Sequence, residues 1–185
     1  NTPIQLTGRA YRPSDNSPAA LVPVRIRINS RGTSRTFDVF SNAKGEVAYT
    51  FQPLPNEAGR FTANADHPSI AEAPAQASFT LYGTRFDPPS QQLRVFPQTP
   101  VTNRVHLVNL GDTPLQGATF TPEGLPSFVH ITFNPETNGI AASDETLISY
   151  TVIADPIGTA ATTQCRIKAT TPEGAVSYLA LNLAI

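Results

Sequence analysis

The sequence predicts an all-β chain folded as two consecutive antiparallel β-sandwiches. Three observations predict it. Nearly all of the 185 residues parse into short strand-forming runs cut by Gly, Pro, Asn and Asp. About a dozen such runs, recurring every ten or so residues, are the pattern of antiparallel sandwiches. No stretch reads as a helix, and Pro, 18 of 185 residues, is about twice its average usage of ~5%. Proline suits turns and strand edges and breaks helices. The length fits two sandwiches of roughly 90–100 residues, each large enough to bury its own core.

The elements follow in order. The first strand is expected at Ile4 to Tyr11, with a polar turn from Pro13 to Ala19. Val22 to Asn29 alternates cleanly: Val24, Ile26 and Ile28 share one side, Arg25 and Arg27 the other. That is a half-buried strand with one solvated face. Ser30 to Thr33 turns the chain into a strand at Thr36 to Phe40, and Asn42 to Gly45 is a second turn with Gly free to take positive φ. Val47, Tyr49 and Phe51 alternate, Pro53 to Gly59 is a loop, Phe61, Ala63 and Ala65 alternate again, and Ala75 to Tyr82 closes the set. Ser69 to Ala77 is Ala-rich and allows a helical turn that Pro74 interrupts.

Gly83 to Ser90 holds Asp87-Pro88-Pro89. Two prolines confine themselves and their predecessors to extended backbone, and the segment reads as a short, stiff joint. The domains are therefore 1–83 and 84–185. In the second, strands are expected at Leu93 to Phe96, Val101 to Leu110, Gln116 to Thr121, Ser127 to Phe133, Thr146 to Ala154, Gln164 to Thr170 and Ala175 to Ala184. Thr-Pro-Glu-Gly occurs at 121–124 and at 171–174 and reads both times as a type I turn. Asn138-Gly139 is a further turn signal.

Composition excludes several classes. Thirteen basic residues face 14 acidic ones. The residues up to Gly83 carry 8 Lys/Arg and 6 Asp/Glu, net +2, and the rest carry 5 and 8, net −3. This is no nucleic-acid footprint. There is no apolar run of about 18 residues, so no transmembrane span is expected. A single Cys, Cys165, excludes an internal disulfide framework. The chain begins at Asn1 and contains no Met, which suggests a processed chain or an excised segment. It has no Asn-x-Ser/Thr acceptor, as in a bacterial source.

Two stretches resemble known families. Asn42-Ala43-Lys44-Gly45-Glu46-Val47-Ala48-Tyr49-Thr50-Phe51, followed by Glu57 to Pro68 with its Gly59-Arg60-Phe61 opening, resembles bacterial immunoglobulin-like modules. It is also similar to prealbumin-like modules related to the carboxypeptidase regulatory domain. In the second half, Leu93-Arg94-Val95, Val105 to Leu115 and Ile140 to Thr146 running into Ile148 to Ala154 resemble immunoglobulin-like modules of the NEW3 and fibronectin III-like type. Ser143 stands where that type often has Gly. The resemblance implies surface or secreted multidomain proteins, and neither a ligand nor a site.

The chemistry-bearing residues are sparse. No Gly-x-Ser-x-Gly, phosphate loop, dinucleotide fingerprint or His-Glu-x-x-His occurs. His67, His106 and His130 lie far apart, the last two inside strand runs. The Asp-x-Asp-x-Asp pattern of calcium loops is absent, so no cofactor or metal is expected. Asp66, His67, Tyr82, Phe86 and Asp87 flank the joint and are expected to form an inter-domain contact, where a metal ion is the sharper alternative to simple Asp capping of a turn. Without Trp, a sugar platform would have to come from Tyr or Phe, most of which fall on core-facing positions. Arg25, Arg27, Arg31 and Arg35 could line one hairpin as a basic binding face or an augmentation edge, against the plainer reading of a solvated sheet face. Lys168 is expected to point outward and Cys165 to be a buried thiol.

These readings converge on a non-catalytic structural, spacer or adhesion module of a larger bacterial secreted or surface protein, placed extracellularly, at the cell surface or in the periplasm. The alternative is an accessory glycan- or protein-binding pair attached to an extracellular enzyme. Neighbouring domains of a parent chain are expected partners. The chain itself is expected not to be an enzyme.

Overall fold

The computed structural model describes residues 2–71, 73–135, 139–156 and 161–185; Asn138, one half of the expected Asn-Gly turn, lies outside them. Fourteen strands and, among the described residues, no helix make up the fold. The chain divides into two compact units, Asn1–Leu81 and Tyr82–Ile185.

The first unit contains β1 (Ile4–Arg9), β2 (Pro23–Ser30), β3 (Thr33–Phe40), β4 (Glu46–Phe51), β5 (Gly59–Asp66) and β6 (Ala77–Leu81). β3-β2-β5-β6 form an antiparallel four-stranded sheet, while β1 and β4 form a sheet of only two strands. Alternation decides which side chains enter the core. Val24, Ile26 and Ile28 are buried along β2 while Arg25 and Arg27 between them are not. Phe61 and Ala63 of the neighbouring β5, and Val47 and Phe51 of β4 in the other sheet, complete a core ringed by Ile4, Leu6, Phe37, Tyr49 and Phe79. Stacked rings join it to its rim: Phe37 lies on Tyr49 at 4.5 Å and Phe61 on Phe79 at 5.2 Å. The β3–β4 turn needs its glycine, since Gly45 sits at φ 75° and a Cβ there would lie 3.0 Å from Ala10 O and from Pro18 Cβ.

The second unit contains β7 (Thr84–Asp87), β8 (Ser90–Arg94), β9 (Val101–Asn109), β10 (Thr119–Glu123), β11 (Val129–Pro135), β12 (Glu145–Ala154), β13 (Thr162–Thr170) and β14 (Val176–Ala184). One sheet runs β11-β12-β9-β7 and the other β10-β13-β14-β8. Each contributes alternate residues to one core, among them Phe86, Leu107, Ile148 and Val152 from the first sheet and Ile167, Leu179, Leu181 and Leu183 from the second. Cys165 is buried in this core, and burial pushes its thiol pKa up.

The segment expected to be a joint is not one. Thr84–Asp87 is β7, antiparallel to β9, and Ser90–Arg94 is β8, parallel to β14. Pro88 and Pro89 take the chain from one sheet of the second unit to the other, where neither proline has to donate a ladder hydrogen bond. The repeated Thr-Pro-Glu-Gly also splits. Residues 171–174 form the expected turn, closed by Gly174 N–H to Thr171 O at 3.0 Å. Thr121 to Glu123 instead finish β10, paired with Lys168 to Arg166 of β13. Ser143 takes φ 55°, the left-handed backbone that favours glycine at this place, and its hydroxyl donates to Gly111 O at 3.2 Å.

Candidate functional site

The four arginines expected on one face are divided by the hairpin's register. Residues directly opposite in an antiparallel pair share a face. Arg25 lies opposite Asp38 and Arg27 opposite Thr36, but Arg35 lies opposite the buried Ile28. Arg35 is therefore on the core side of the sheet. Its guanidinium sits 4.3 Å over the Phe51 ring and donates to both oxygens of Glu57 at 2.8 and 2.9 Å. Arg31 is in the β2–β3 turn at φ 48°.

Arg25 and Arg27 do share the outer face, and contacts within the unit engage both. Arg25 grips Asp38 through Nε and Nη2 at 2.8 and 2.9 Å, which holds the Asp38 carboxyl below its ordinary pKa. Its Nη1 reaches Pro68 O at 3.4 Å, and Arg27 Nη2 donates to Ile70 O at 2.6 Å. The chain after β5 thus folds back over the sheet and is pinned there. Gln76 reinforces it, its side-chain amide accepting from Ala65 N–H and donating to Ala65 O. Asn64, on the same outward row, is only 4% exposed and donates to Asp66 at 2.9 Å.

The five residues expected at a joint have separate roles. Asp66 ends β5 and His67 follows it, the imidazole Nδ1 2.7 Å from Ser69 Oγ. Tyr82 opens the second unit and is exposed. Phe86 is 1% exposed in that unit's own core, 6.5 Å from Phe120. Asp87 lies on the surface, 3.5 Å from Arg85.

The remaining histidines pair singly. His130 Nε2 is 3.2 Å from Asp155, both well exposed. His106 Nδ1 is 2.9 Å from Glu145, outside hydrogen-bond geometry, so it counts as an ion pair only when the imidazole is protonated. β12 separates the strands that carry these two histidines. Among the described residues no three His, Cys, Asp or Glu side chains stand close enough to share a metal ion. A part-buried polar cluster joins β8, β9 and β12. Tyr150 Oη and Asn103 Nδ2 both donate to Gln91 Oε1, and Gln91 Nε2 donates to Arg104 O at 2.8 Å. Burial pushes the Tyr150 hydroxyl up to about 12.

A surface the sequence did not point to is the cleft beside β1, about 950 Å³ in volume. One wall is β1 itself and the other is β5 with Ile70 and Gln76; Val24, Ile26, Val47 and Ala63 lie at its base. The β1 wall is an unpaired strand edge. Ala10 N–H bonds Gly45 O at 2.8 Å, and Gly8, Leu6 and Ile4 lie opposite Val47, Tyr49 and Phe51. Because hydrogen-bonded and non-bonded positions alternate in an antiparallel ladder, the even-numbered residues spend their backbone groups on β4. Gln5, Thr7 and Arg9 point theirs the other way, where the sheet ends. Gly8 shares the core-facing parity with Leu6, yet a Cβ on it would meet nothing within 4 Å. The slot next to the edge is open.

No family model matches the chain, and no curated protein matches it. Similar solved structures include a protein of unknown function from Porphyromonas gingivalis W83, at 10% identity and TM-score 0.40, covering 98% of this chain and 99% of that one. The VesB protease of Vibrio cholerae is similar at 12% identity and TM-score 0.39, covering 96% and 66%. The major pilin subunit BcpA of Bacillus cereus is similar at 8% identity and TM-score 0.32, covering 99% and 69%. No functional property follows from likeness this low.

Proposed function

We propose that the chain is a non-catalytic adhesion or spacer module of a larger exported protein, and that its first unit takes an extended segment of a partner on the edge of β1. The observation that carries this is the edge itself: three successive odd-numbered residues present unspent N–H and C=O groups to an apolar cleft. Such an edge is a template for strand addition, with main-chain bonds giving affinity and alternate side chains giving selectivity. The open space at Gly8 and the small Ala63 and Ala65 opposite suit a partner strand with large apolar side chains at alternate positions. The scaffold role is supported by two units that each bury their own core. The singly paired histidines support the non-enzymatic reading.

The test is to pan a displayed library of random extended peptides against the wild-type chain and against Thr7→Pro. Thr7 directs its N–H away from β4, so proline there removes an edge donor without breaking a ladder bond. Wild type is expected to enrich peptides with alternating large apolar residues, and Thr7→Pro to lose them at an unchanged far-UV spectrum. Equal enrichment on both proteins, or none on wild type, contradicts the proposal.

A further inference from the structure

We propose that the outer face of the second unit's β10-β13-β14-β8 sheet binds acidic polysaccharide in a trough over the end of β14, at Asn182 to Ala184. This site lies wholly in the second unit and stands whether or not β1 accepts a strand.

The trough follows from residue size and register. β14 turns Ala180, Asn182 and Ala184 outward, between the buried Leu179, Leu181 and Leu183. Its neighbours are taller. β8 places Gln92 beside Asn182 and Arg94 beside Ala184; on the other side β13 places Gln164 beside Asn182 and Thr162 beside Ala184. Ala184 on the middle strand, with the longer Gln92, Arg94 and Gln164 on the flanking strands, leaves an open depression of about 720 Å³.

The chemistry of the lining selects the ligand. Gln92, Asn182 and Gln164 form one row across three strands. Neighbouring strands lie about 4.8 Å apart, so the row spans about 10 Å. None of the three amides has a hydrogen-bond partner among the described residues. Each offers both donors and an acceptor, which matches sugar hydroxyls, themselves donors and acceptors. A peptide would bring its own backbone amides to a sheet face whose backbone is already paired. Along the strands from the row, Tyr178 stands outward on β14 beside Lys168, with Arg166 4.5 Å over its ring, and Phe96 follows β8 with the Arg94 guanidinium 5.7 Å from its ring.

Charge makes the ligand acidic. From Gly83 onward the chain carries five cations, Arg85, Arg94, Arg104, Arg166 and Lys168, against eight Asp/Glu. Three of the five, Arg94, Arg166 and Lys168, stand on this one face. Among the described residues Glu123 answers one of them, held by Arg166 at 2.6 Å. A net positive face on a net negative unit complements a carboxylate-bearing chain, and guanidinium is the group best suited to carboxylate.

The experiment is affinity electrophoresis of the full chain through gels holding polygalacturonate, dextran sulfate or neutral dextran. Retardation by polygalacturonate and none by dextran is expected. Arg94→Gln, and separately the pair Gln164→Ala with Asn182→Ala, are expected to weaken retention about tenfold, the loss of roughly one charge-assisted or two neutral hydrogen bonds. Arg104→Gln makes the same charge change on the opposite sheet and is expected to change nothing. Ala184→Trp plugs the floor from the solvent side and is expected to abolish retention with an unchanged melting temperature. The proposal is overturned by any of three results: no retardation in polygalacturonate, equal retardation in neutral dextran, or equal weakening by Arg94→Gln and Arg104→Gln. Retention by dextran sulfate that survives the trough substitutions while polygalacturonate retention also survives them overturns it as well, because the binding is then diffuse charge.

Discussion

The two units solve the same packing problem to different degrees. The second closes four strands on four, and its core residues are covered from both sides. The first sets two strands against four, so the smaller sheet cannot roof the larger one. What it leaves uncovered is a strand edge beside an apolar slot, while the second unit's edge strands, β10, β8, β11 and β7, end two four-stranded sheets that cover one core. The difference is why backbone recognition is proposed for the first unit and side-chain recognition on a sheet surface for the second.

Paired proline substitutions along β1 break that comparison most severely. Leu6→Pro removes an N–H that serves β4 and is expected to cost about 3 kcal/mol or more. Thr7→Pro, one residue on, is expected to cost under about 1 kcal/mol, since its N–H faces the open edge. Urea melts of the two variants check this, and equal losses would mean that the edge is not free.

In the second unit the sharpest feature is the buried Tyr150 hydroxyl. An unfolded tyrosine ionises near 10, whereas the folded one keeps its proton to about 12. Its contribution is therefore complete below pH 10 and is lost as the pH rises through 12, roughly 2 kcal/mol in all. Tyr150→Phe is expected to flatten the alkaline fall measured by denaturant melts from pH 8 to 12. An unchanged fall would place its cause elsewhere.

Filling the slot sharpens the contrast in the other direction. Gly8→Val adds apolar atoms where nothing lies within 4 Å and removes glycine's unfolded-state freedom. It is expected to stabilise the first unit by roughly 0.5–1 kcal/mol through the unfolded chain alone, read from the denaturation midpoint, and to block partner peptides. The smallest effect concerns the Arg25–Asp38 pair. The Asp38 carboxyl is lowered chiefly by its hydrogen bond from Arg25, so its contribution is present above the ordinary carboxylate range and fades as the pH falls through and below it. Asp38→Asn is expected to reduce the acid sensitivity of the first unit's melting between pH 5 and 2; an identical acid profile would show the pair contributes nothing.

Local pattern in the sequence reveals strands and their faces. Alternation over Val24 to Ile28 identifies β2 and its buried side, and the same parity places Cys165 inward and Lys168 outward. Non-local pairing is not legible. Arg35 reads as part of a basic stripe because sequence spacing cannot say that the Ser30–Thr33 turn sets it opposite Ile28. Pro88 and Pro89 read as a linker because the restrictions they impose suit a corner between two sheets equally well. The trough needed β8 to lie parallel beside β14, some ninety residues away in sequence. The open edge of β1 is a property of what does not pair with it, which no residue of β1 encodes.

Amide hydrogen exchange along β1 tests the open edge most directly. The amides of Leu6, Gly8 and Ala10 are expected to be protected by β4, and those of Gln5, Thr7 and Arg9 to exchange close to the rate of unstructured chain, slowing only when a strand-forming peptide is added. Protection shared equally by odd and even positions in the free protein would contradict the account, because the edge would already be paired.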